Sequence, residues 1–337
     1  NMKTIGLVFG STDSEHDISI KSAASVFEFF PKDKYNLCPI YIQRNGEWIT
    51  GNYTTEHFNK GEFPKEKKLI FKFSDTRPGL YDEDTMTPFP IDGAILMLHG
   101  PVGEGGMIQG LLEMANIPFT GSELASSAIC MDKAFTHQIC EKEGINMAKY
   151  QLVDAYDTVD HASLTYPCVV KPSREGSSFG ISYVENKNQL KEAIDMALTF
   201  DRRVLIEEYI LGQELSVAIL KTKQYKIISK PCQATRFKPV ADFEEKYIST
   251  EQETLFDPPY SETLLEKVKQ ESEFIFDVLD CKHFARVDFF VTEDEQLYFN
   301  EINTIPGFTN VSLYPMLIQN AGISYSELIE TLIVDIL

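Results

Sequence analysis

Two segments near the C-terminal end, Ala285-Arg-Val-Asp-Phe-Phe-Val291 and Gln296-Leu-Tyr-Phe-Asn-Glu-Ile-Asn303, alternate apolar and polar residues on either side of the charged run Thr-Glu-Asp-Glu. Period-two alternation marks strands with one buried face, and a polar tetrapeptide between two such runs reads as a hairpin turn. Centring that turn on Asp294 and Glu295 sets Asp288 opposite Glu301 and Arg286 opposite Asn303, with all four side chains on one face. Carboxylates placed directly opposite each other destabilise a sheet unless positive charge lies between them. Asp288, Glu301 and Asn303 offer only oxygen donors, which suits Mg²⁺ or Mn²⁺ and not zinc. The plain alternative is a solvated face of an exposed hairpin, and a one-residue slip in register would remove the argument. Thr304-Ile-Pro-Gly-Phe-Thr309 follows at once, and its glycine permits close approach of a ligand. Mg²⁺ usually bridges a few carboxylates to phosphates, so a nucleotide is the natural partner.

At 337 residues the chain is long enough for two or three domains. Thr4–Gly10 is an apolar run ending in glycine, and Ile18 to Phe30 carries apolar residues at helical spacing, a β-turn-α opening. A second apolar strand, Ile91 to Leu98, runs into His99-Gly-Pro-Val-Gly-Glu-Gly-Gly106 and then a helical face of Met107, Ile108, Leu111, Leu112 and Ala115. This reads as a parallel, Rossmann-like N-terminal domain over residues 1–122, with Glu15 and His99 at the C-terminal ends of its strands, where ligands bind in such sheets. A helix carrying Lys133 and stopping near Gly144, the buried strand Pro167–Lys171, a strand at 181–184, a helix at 190–198 and a strand at 204–208 give an α+β central part, 123–210. The remainder, 211–337, holds the hairpin and a polar, aperiodic stretch from Gln233 to Pro259 that reads as a mobile loop, although its length leaves room for an unseen element.

A formal charge of -20 repels polyanions over most of the surface, which disfavours nucleic acid and anionic membrane as partners. Six cysteines without a C-x-x-C pair, several inside apolar runs, read as reduced core thiols of a cytoplasmic protein. No stretch reaches the length of a membrane span and no signal sequence opens the chain. Asn1 ahead of Met2 reads as a residue left by recombinant expression.

Gly176-Ser-Ser-Phe-Gly180 has the small hydroxyls and backbone N–H groups of an anion-binding nest. It also spells the G-x-S-x-G nucleophile elbow, but that elbow needs a strand just before it and a helix just after. Here Lys171-Pro-Ser-Arg-Glu intervenes and Ile181-Ser-Tyr-Val184 alternates like a strand. No G-K-[ST] or G-x-G-x-x-G occurs. Lys171 ends a buried strand, so its ammonium needs an anionic partner, either a protein carboxylate or a phosphate. Lys133 serves the same role or lies on a solvated helix face. The acids of Leu205-Ile-Glu-Glu-Tyr-Ile-Leu-Gly-Gln-Glu214 are ordinary surface groups or acceptors for a ribose and an adenine.

Several stretches together resemble the D-alanine:D-alanine ligase family of the ATP-grasp type: Ser14-Glu-His-Asp-Ile-Ser19, His99-Gly-x-x-Gly-Glu104, Met131-Asp-Lys133, Lys171-Pro-Ser-Arg-Glu-Gly-Ser-Ser178, Lys246-Tyr247, Ala285-Arg-Val-Asp288, Asn300-Glu-Ile-Asn-Thr304 and Ser312-Leu-Tyr-Pro315. The resemblance runs nearly end to end and implies a two-part ATP-grasp fold after the N-terminal domain. It implies that Lys133, Lys171 and Lys246 serve ATP, with Glu207 and the Glu208-Tyr209-Ile210 backbone at adenine and Glu214 at ribose. Asp288, Glu301 and Asn303 would carry two Mg²⁺ or Mn²⁺ ions.

Glu15 would bind the ammonium of a first D-alanine, with His99 nearby, and Ser312 and Leu313 would seat the second. Arg286 and the Gly307 N–H would stabilise the oxyanion. Tyr247 would join Ser177 and Glu15 in linking a closing loop to the pocket. The implied reaction makes an acyl phosphate that a second amino acid attacks, giving D-alanyl-D-alanine for peptidoglycan precursors, in a homodimer. Tyr247 favours an amine nucleophile, and Leu313 favours D-alanine over D-serine. The rivals are a D-alanine:D-serine ligase on the same scaffold and a non-catalytic nucleotide-binding regulator. The chain departs from the family pattern at Gly105, where aspartate would be a helix N-cap, at Ser11 for glycine and at Phe243 for tyrosine.

Overall fold

The opening apolar run becomes β1 (Thr4–Gly10) and the amphipathic run after it α1 (His16–Phe29). The computed structural model describes residues 1–73, 77–176, 178–234 and 254–337. β2 (Asn36–Ile42), β3 (Trp48–Thr50), α2 (Thr55–Lys60), β4 (Lys67–Lys72), β5 (Gly79–Asp82) and β6 (Gly93–Met97) complete a sheet of order β5-β4-β3-β2-β1-β6. Only β2, β1 and β6 run parallel, and β3, β4 and β5 join antiparallel. The wholly parallel sheet expected from the sequence is thus corrected to a mixed one. The connection from β2 to β3, 43–47, allows a turn back along the sheet but not a crossover, which takes a dozen or more residues. Phe9 lies beside Met97, so Glu15 and His99 do follow the C-terminal ends of adjacent parallel strands.

α3 (Pro101–Glu104) and α4 (Met107–Met114) come next. Gly105 ends α3 and Gly106 is the N-cap of α4, so position 105 is not the cap the sequence suggested. A Cβ at 105 would stand 2.1 Å from the Pro101 carbonyl oxygen. The single helix expected around Lys133 is two, α5 (Leu124–Met131) and α6 (Lys133–Lys142). Asp132 divides them: its backbone is extended and its side chain accepts from the N–H groups of Ala134 and Phe135.

β7 (Tyr150–Val153), β8 (Cys168–Pro172), β9 (Ser182–Val184), α7 (Lys187–Leu198) and β10 (Val204–Glu208) build an antiparallel sheet of order β7-β10-β8-β9. Leu190, Ala193, Ile194 and Ala197 of α7 share a buried cluster with Val170, Val184, Val204 and Ile206. The third sheet runs β14-β13-β11-β15-β16 with β12 also on β11. Its strands are β11 (Gln213–Lys221), β12 (Lys226–Ile228), β13 (Cys232–Ala234), β14 (Thr254–Leu255), β15 (His283–Val291) and β16 (Leu297–Asn303), with α8 (Glu262–Val278) packed behind. The described ends of the stretch from Gln233 to Pro259 therefore pair as β13 and β14; two-residue pairings leave too little alternation to detect. Residues 235–253 lie outside the described residues. α9 (Leu313–Asn320) and α10 (Tyr325–Ile336) return to join β1 and α1 in one buried cluster.

The hairpin sets Arg286 against Asn303 and Asp288 against Glu301, as the alternation required. Nearer the turn it is offset by one, with Phe289 against Phe299 and Val291 against Leu297, and a bulge at Asn300 absorbs the difference. The slip that would have undone the sequence argument is confined to the tip.

Glycine at 212 is required by contact: a Cβ there would fall 2.1 Å from the Val291 carbonyl oxygen, whereas one at Gly93 would meet mainly the flexible Cδ1 of Ile336. Gly212→Ala is expected to cost about 1–3 kcal/mol and Gly93→Ala less than about 1 kcal/mol. Denaturant titration reads both, and equal losses would refute the assignment.

Candidate active site

A cavity of about 630 Å³ opens between the first and third sheets, and Glu15, His99, Lys133, Glu214, Arg286, Asp288, Glu301, Asn303, Gly307, Ser312 and Leu313 all line it. These eleven residues come from distant parts of the chain. Lys171, Glu207, Glu208, Tyr209 and Ile210 are not on its wall. Ser177, Lys246 and Tyr247, like Phe243, lie outside the described residues.

On the hairpin face the positive charge next to Asp288 is Arg286. Its Nε donates to Oδ1 and its Nη2 to Oδ2, each at 2.9 Å, and Ser216 of β11 adds a hydroxyl to Oδ1 at 2.7 Å. Asp288 is 1 % exposed, so the fork of donors offsets the cost of burying its charge. The donor set of Asp288, Glu301 and Asn303 remains all-oxygen, on one face of two paired strands, and so fits a hard divalent cation.

The opposite wall is acidic. Asp13 accepts from the N–H groups of Val102 and Gly103 at 2.9 and 2.8 Å, holding the start of α3. Glu104 folds back to accept from Gly100 N–H at 2.9 Å, and Gln109 bridges Gly106 to Gly103. The loop after His99 is thus tied at both ends despite Gly105. Burial, and then the charge of Glu15, push the Glu104 carboxyl well above the usual carboxylate range. His99 Nδ1–H donates to the Ile305 carbonyl and its Nε2 accepts from the Ser22 hydroxyl, both at 2.9 Å. Burial pulls its pKa down, so it is a neutral strut between β6 and the loop that bears Gly307. In that loop the Thr309 N–H donates to the Ser312 hydroxyl at 3.1 Å.

The start of α6 is held by Asp132, which accepts from the Ser173 hydroxyl at 2.7 Å and from Arg203 at 2.6 Å. This sets Lys133 at the start of α6, where its Nζ donates to the Glu175 carbonyl. Gly176 lies over Glu15, within 3.2 Å of Oε2 for an added Cβ. Lys171 has the protein carboxylate that the sequence left open: its Nζ stands 2.8 Å from Glu207 Oε2. The N–H groups of Glu208 and Tyr209 already serve the carbonyls of Lys149 and Pro167.

Sequence reasoning missed Asp13, Glu104, Asp132 and Ser216. Asp13, Asp132 and Ser216 act on groups far away in sequence, so no local spacing signals them, and Glu104 turns back onto Gly100 N–H four residues earlier, a contact that depends on the shape of the loop. Glu104→Gln keeps an acceptor for Gly100 N–H and removes the charge. A carboxyl raised in the folded state costs stability as pH climbs from its unfolded value through the raised one, so the variant should outlast the parent in thermal melts at about pH 8, with the gap closing by about pH 4. Parallel curves would refute the buried-charge account.

A family model described as the D-ala D-ala ligase N-terminus matches residues 4–122, and one described as the D-ala D-ala ligase C-terminus matches residues 139–334. The D-alanine–D-alanine ligase of Natranaerobius thermophilus is 36% identical over 98% of this chain and 93% of its own length, and that of Clostridium novyi is 36% identical over 98% and 97%. Among solved structures, the VanG D-Ala:D-Ser ligase from Enterococcus faecalis matches with a TM-score of 0.91 at 32% identity over 100% of both chains. The D-alanine-D-alanine ligase from Coxiella burnetii matches with a TM-score of 0.85 at 27% identity, over 99% of this chain and 93% of that one. With an α/β sheet followed by two antiparallel ones that match throughout, the chain belongs to the D-alanine–D-alanine ligase family and has its ATP-grasp fold.

Proposed function

We propose that this chain joins two molecules of D-alanine at the expense of ATP, for peptidoglycan precursor synthesis. The observation that carries the reading is one cavity lined by a buried acid at Glu15, an oxygen-donor face at Asp288, Glu301 and Asn303, and the Gly307-to-Leu313 loop. Glu15 takes the ammonium of the first D-alanine, whose carboxylate oxygen attacks the γ-phosphorus while ADP leaves. The amine of the second D-alanine then attacks the carbonyl carbon of the acyl phosphate, phosphate departs, and the proton lost by the amine passes to solvent.

Lys133 and Lys171 lie against the phosphates, Glu207 and the Glu208–Ile210 backbone against adenine, and Glu214 against ribose. Two Mg²⁺ or Mn²⁺ ions on Asp288, Glu301 and Asn303 would neutralise phosphate charge. Arg286 is held by its two-pronged contact with Asp288, which fixes the plane of the guanidinium on the cavity wall, and its fixed positive charge stabilises the oxyanion beside Gly307 N–H. Ser312 and Leu313 receive the second amino acid. From the family resemblance, Ser177, Lys246 and Tyr247 close the site and exclude water from the acyl phosphate. A homodimer belongs to the same reading, as does a cytoplasmic setting, in line with six cysteines that are all free thiols.

The likeness to VanG favours a second reading, in which D-serine is the acceptor; Leu313 argues for D-alanine. Phosphate release and mass spectrometry with ATP, Mg²⁺ and equimolar D-alanine and D-serine decide between them. D-alanyl-D-alanine is expected to dominate. A dominant mixed product would establish the second reading, and no phosphate release would end both. Arg286→Ala should lower kcat by about 10² or more while nucleotide affinity changes little. Unchanged turnover would remove Arg286 from the oxyanion role.

A further inference from the structure

His137 has no part in the account so far, yet it touches three parts of the site. It sits one helical turn after Lys133 on α6, 1 % exposed, with its ring between Tyr150 at 5.5 Å and Phe299 at 6.0 Å. Its Nε2 stands 3.0 Å from the carbonyl oxygen of Asn300, the bulge residue of the hairpin. A carbonyl only accepts, so Nε2 carries the proton and, in the neutral ring, Nδ1 is a bare acceptor. That Nδ1 faces Glu207 Oε1 at 3.5 Å, while Glu207 Oε2 is held by Lys171. Neither Nδ1 nor Oε1 has a hydrogen-bond partner among the described residues.

Two buried acceptors aimed at each other are costly, and the arrangement persists only if the surroundings impose it. Here the Asn300 carbonyl imposes it by fixing the tautomer. The consequence is that Glu207 gets no donor from this side, and its acceptor capacity is left for a donor that arrives with a ligand.

We propose that His137 is a positioning residue for nucleotide choice: held by Asn300, it keeps Glu207 unsatisfied, so that a purine with an amino group at position 6 is preferred to one with an oxo group there. The inference rests on the reading of Glu207 as the base-binding carboxylate. A 6-amino purine supplies the missing donor, whereas a 6-oxo purine adds another acceptor, and sites built for one hydrogen bond reject ligands that cannot make it.

The test compares ATP with ITP in the ligation assay for the parent, His137→Gln, His137→Phe and Glu207→Gln. Glutamine can turn an amide N–H toward Glu207 and satisfy it internally; phenylalanine keeps the ring volume and offers no donor. The ATP-over-ITP ratio of kcat/KM should fall about tenfold in His137→Gln, through KM for ATP, with KM for D-alanine unchanged, and should persist in His137→Phe. This ratio does not depend on the fraction of enzyme that is folded. An unaltered ratio in His137→Gln, or an equal loss in both histidine variants, overturns the inference while Glu207→Gln still lowers the ratio. If Glu207→Gln leaves the ratio unaltered, the reading of Glu207 fails and the inference with it.

Discussion

Asp288 and Glu301 oppose each other across β15 and β16, and the third sheet is organised around that juxtaposition. Two unit charges about 5 Å apart repel by on the order of 3 kcal/mol at an effective dielectric near 20. Arg286, two residues back on the same face, supplies the countercharge through a two-pronged contact, and Ser216 on the neighbouring strand supports it from beneath. The paired strands thus present oxygen ligands to the cavity without the hairpin being forced apart. The same arginine faces the place where the Gly307 loop passes, so charge balance and site geometry share one side chain.

The other walls are positioned by polar groups acting on backbone. Asp13 holds the start of α3, His99 ties β6 to the Ile305 carbonyl, and Asp132 both caps α6 and receives Arg203, the residue that precedes β10. His283 accepts from Gly121 N–H, joining the end of the first part to the start of β15. α9 and α10 close the arrangement by burying their apolar faces against α1 and β1. The cavity walls are therefore fixed relative to one another through contacts between residues far apart in the chain.

The strongly patterned elements were legible in the sequence. The β1–α1 opening, β10 and the shared face of Arg286, Asp288, Glu301 and Asn303 follow from periodicity, Glu15 and His99 from their place after parallel strands, and Ser312 and Leu313 from family resemblance. The mixed first sheet was not legible, because β3 and β5 are too short to show a direction of pairing. The break between α5 and α6 rests on the dihedrals of one residue, Asp132, inside an otherwise helical pattern. The bulge at Asn300 was invisible because a uniform register predicts the same partners at the ligand face. Lys171 was seen to need an anion, but that its anion is Glu207 depends on two strands meeting, which no single segment encodes.

The pairing of Lys171 with Glu207, together with the hold of the Glu175 carbonyl on Lys133, bears on how the resting protein treats simple anions. In a chain of net charge -20, these two cations are already committed to internal acceptors and exert little pull of their own on inorganic phosphate or other small polyanions. Under the proposed function, a ligand that offers Glu207 another partner would free Lys171 for its phosphates. Affinity would then be conditional: the base would act as the key that releases the charge, and anions lacking one would meet a lysine already taken.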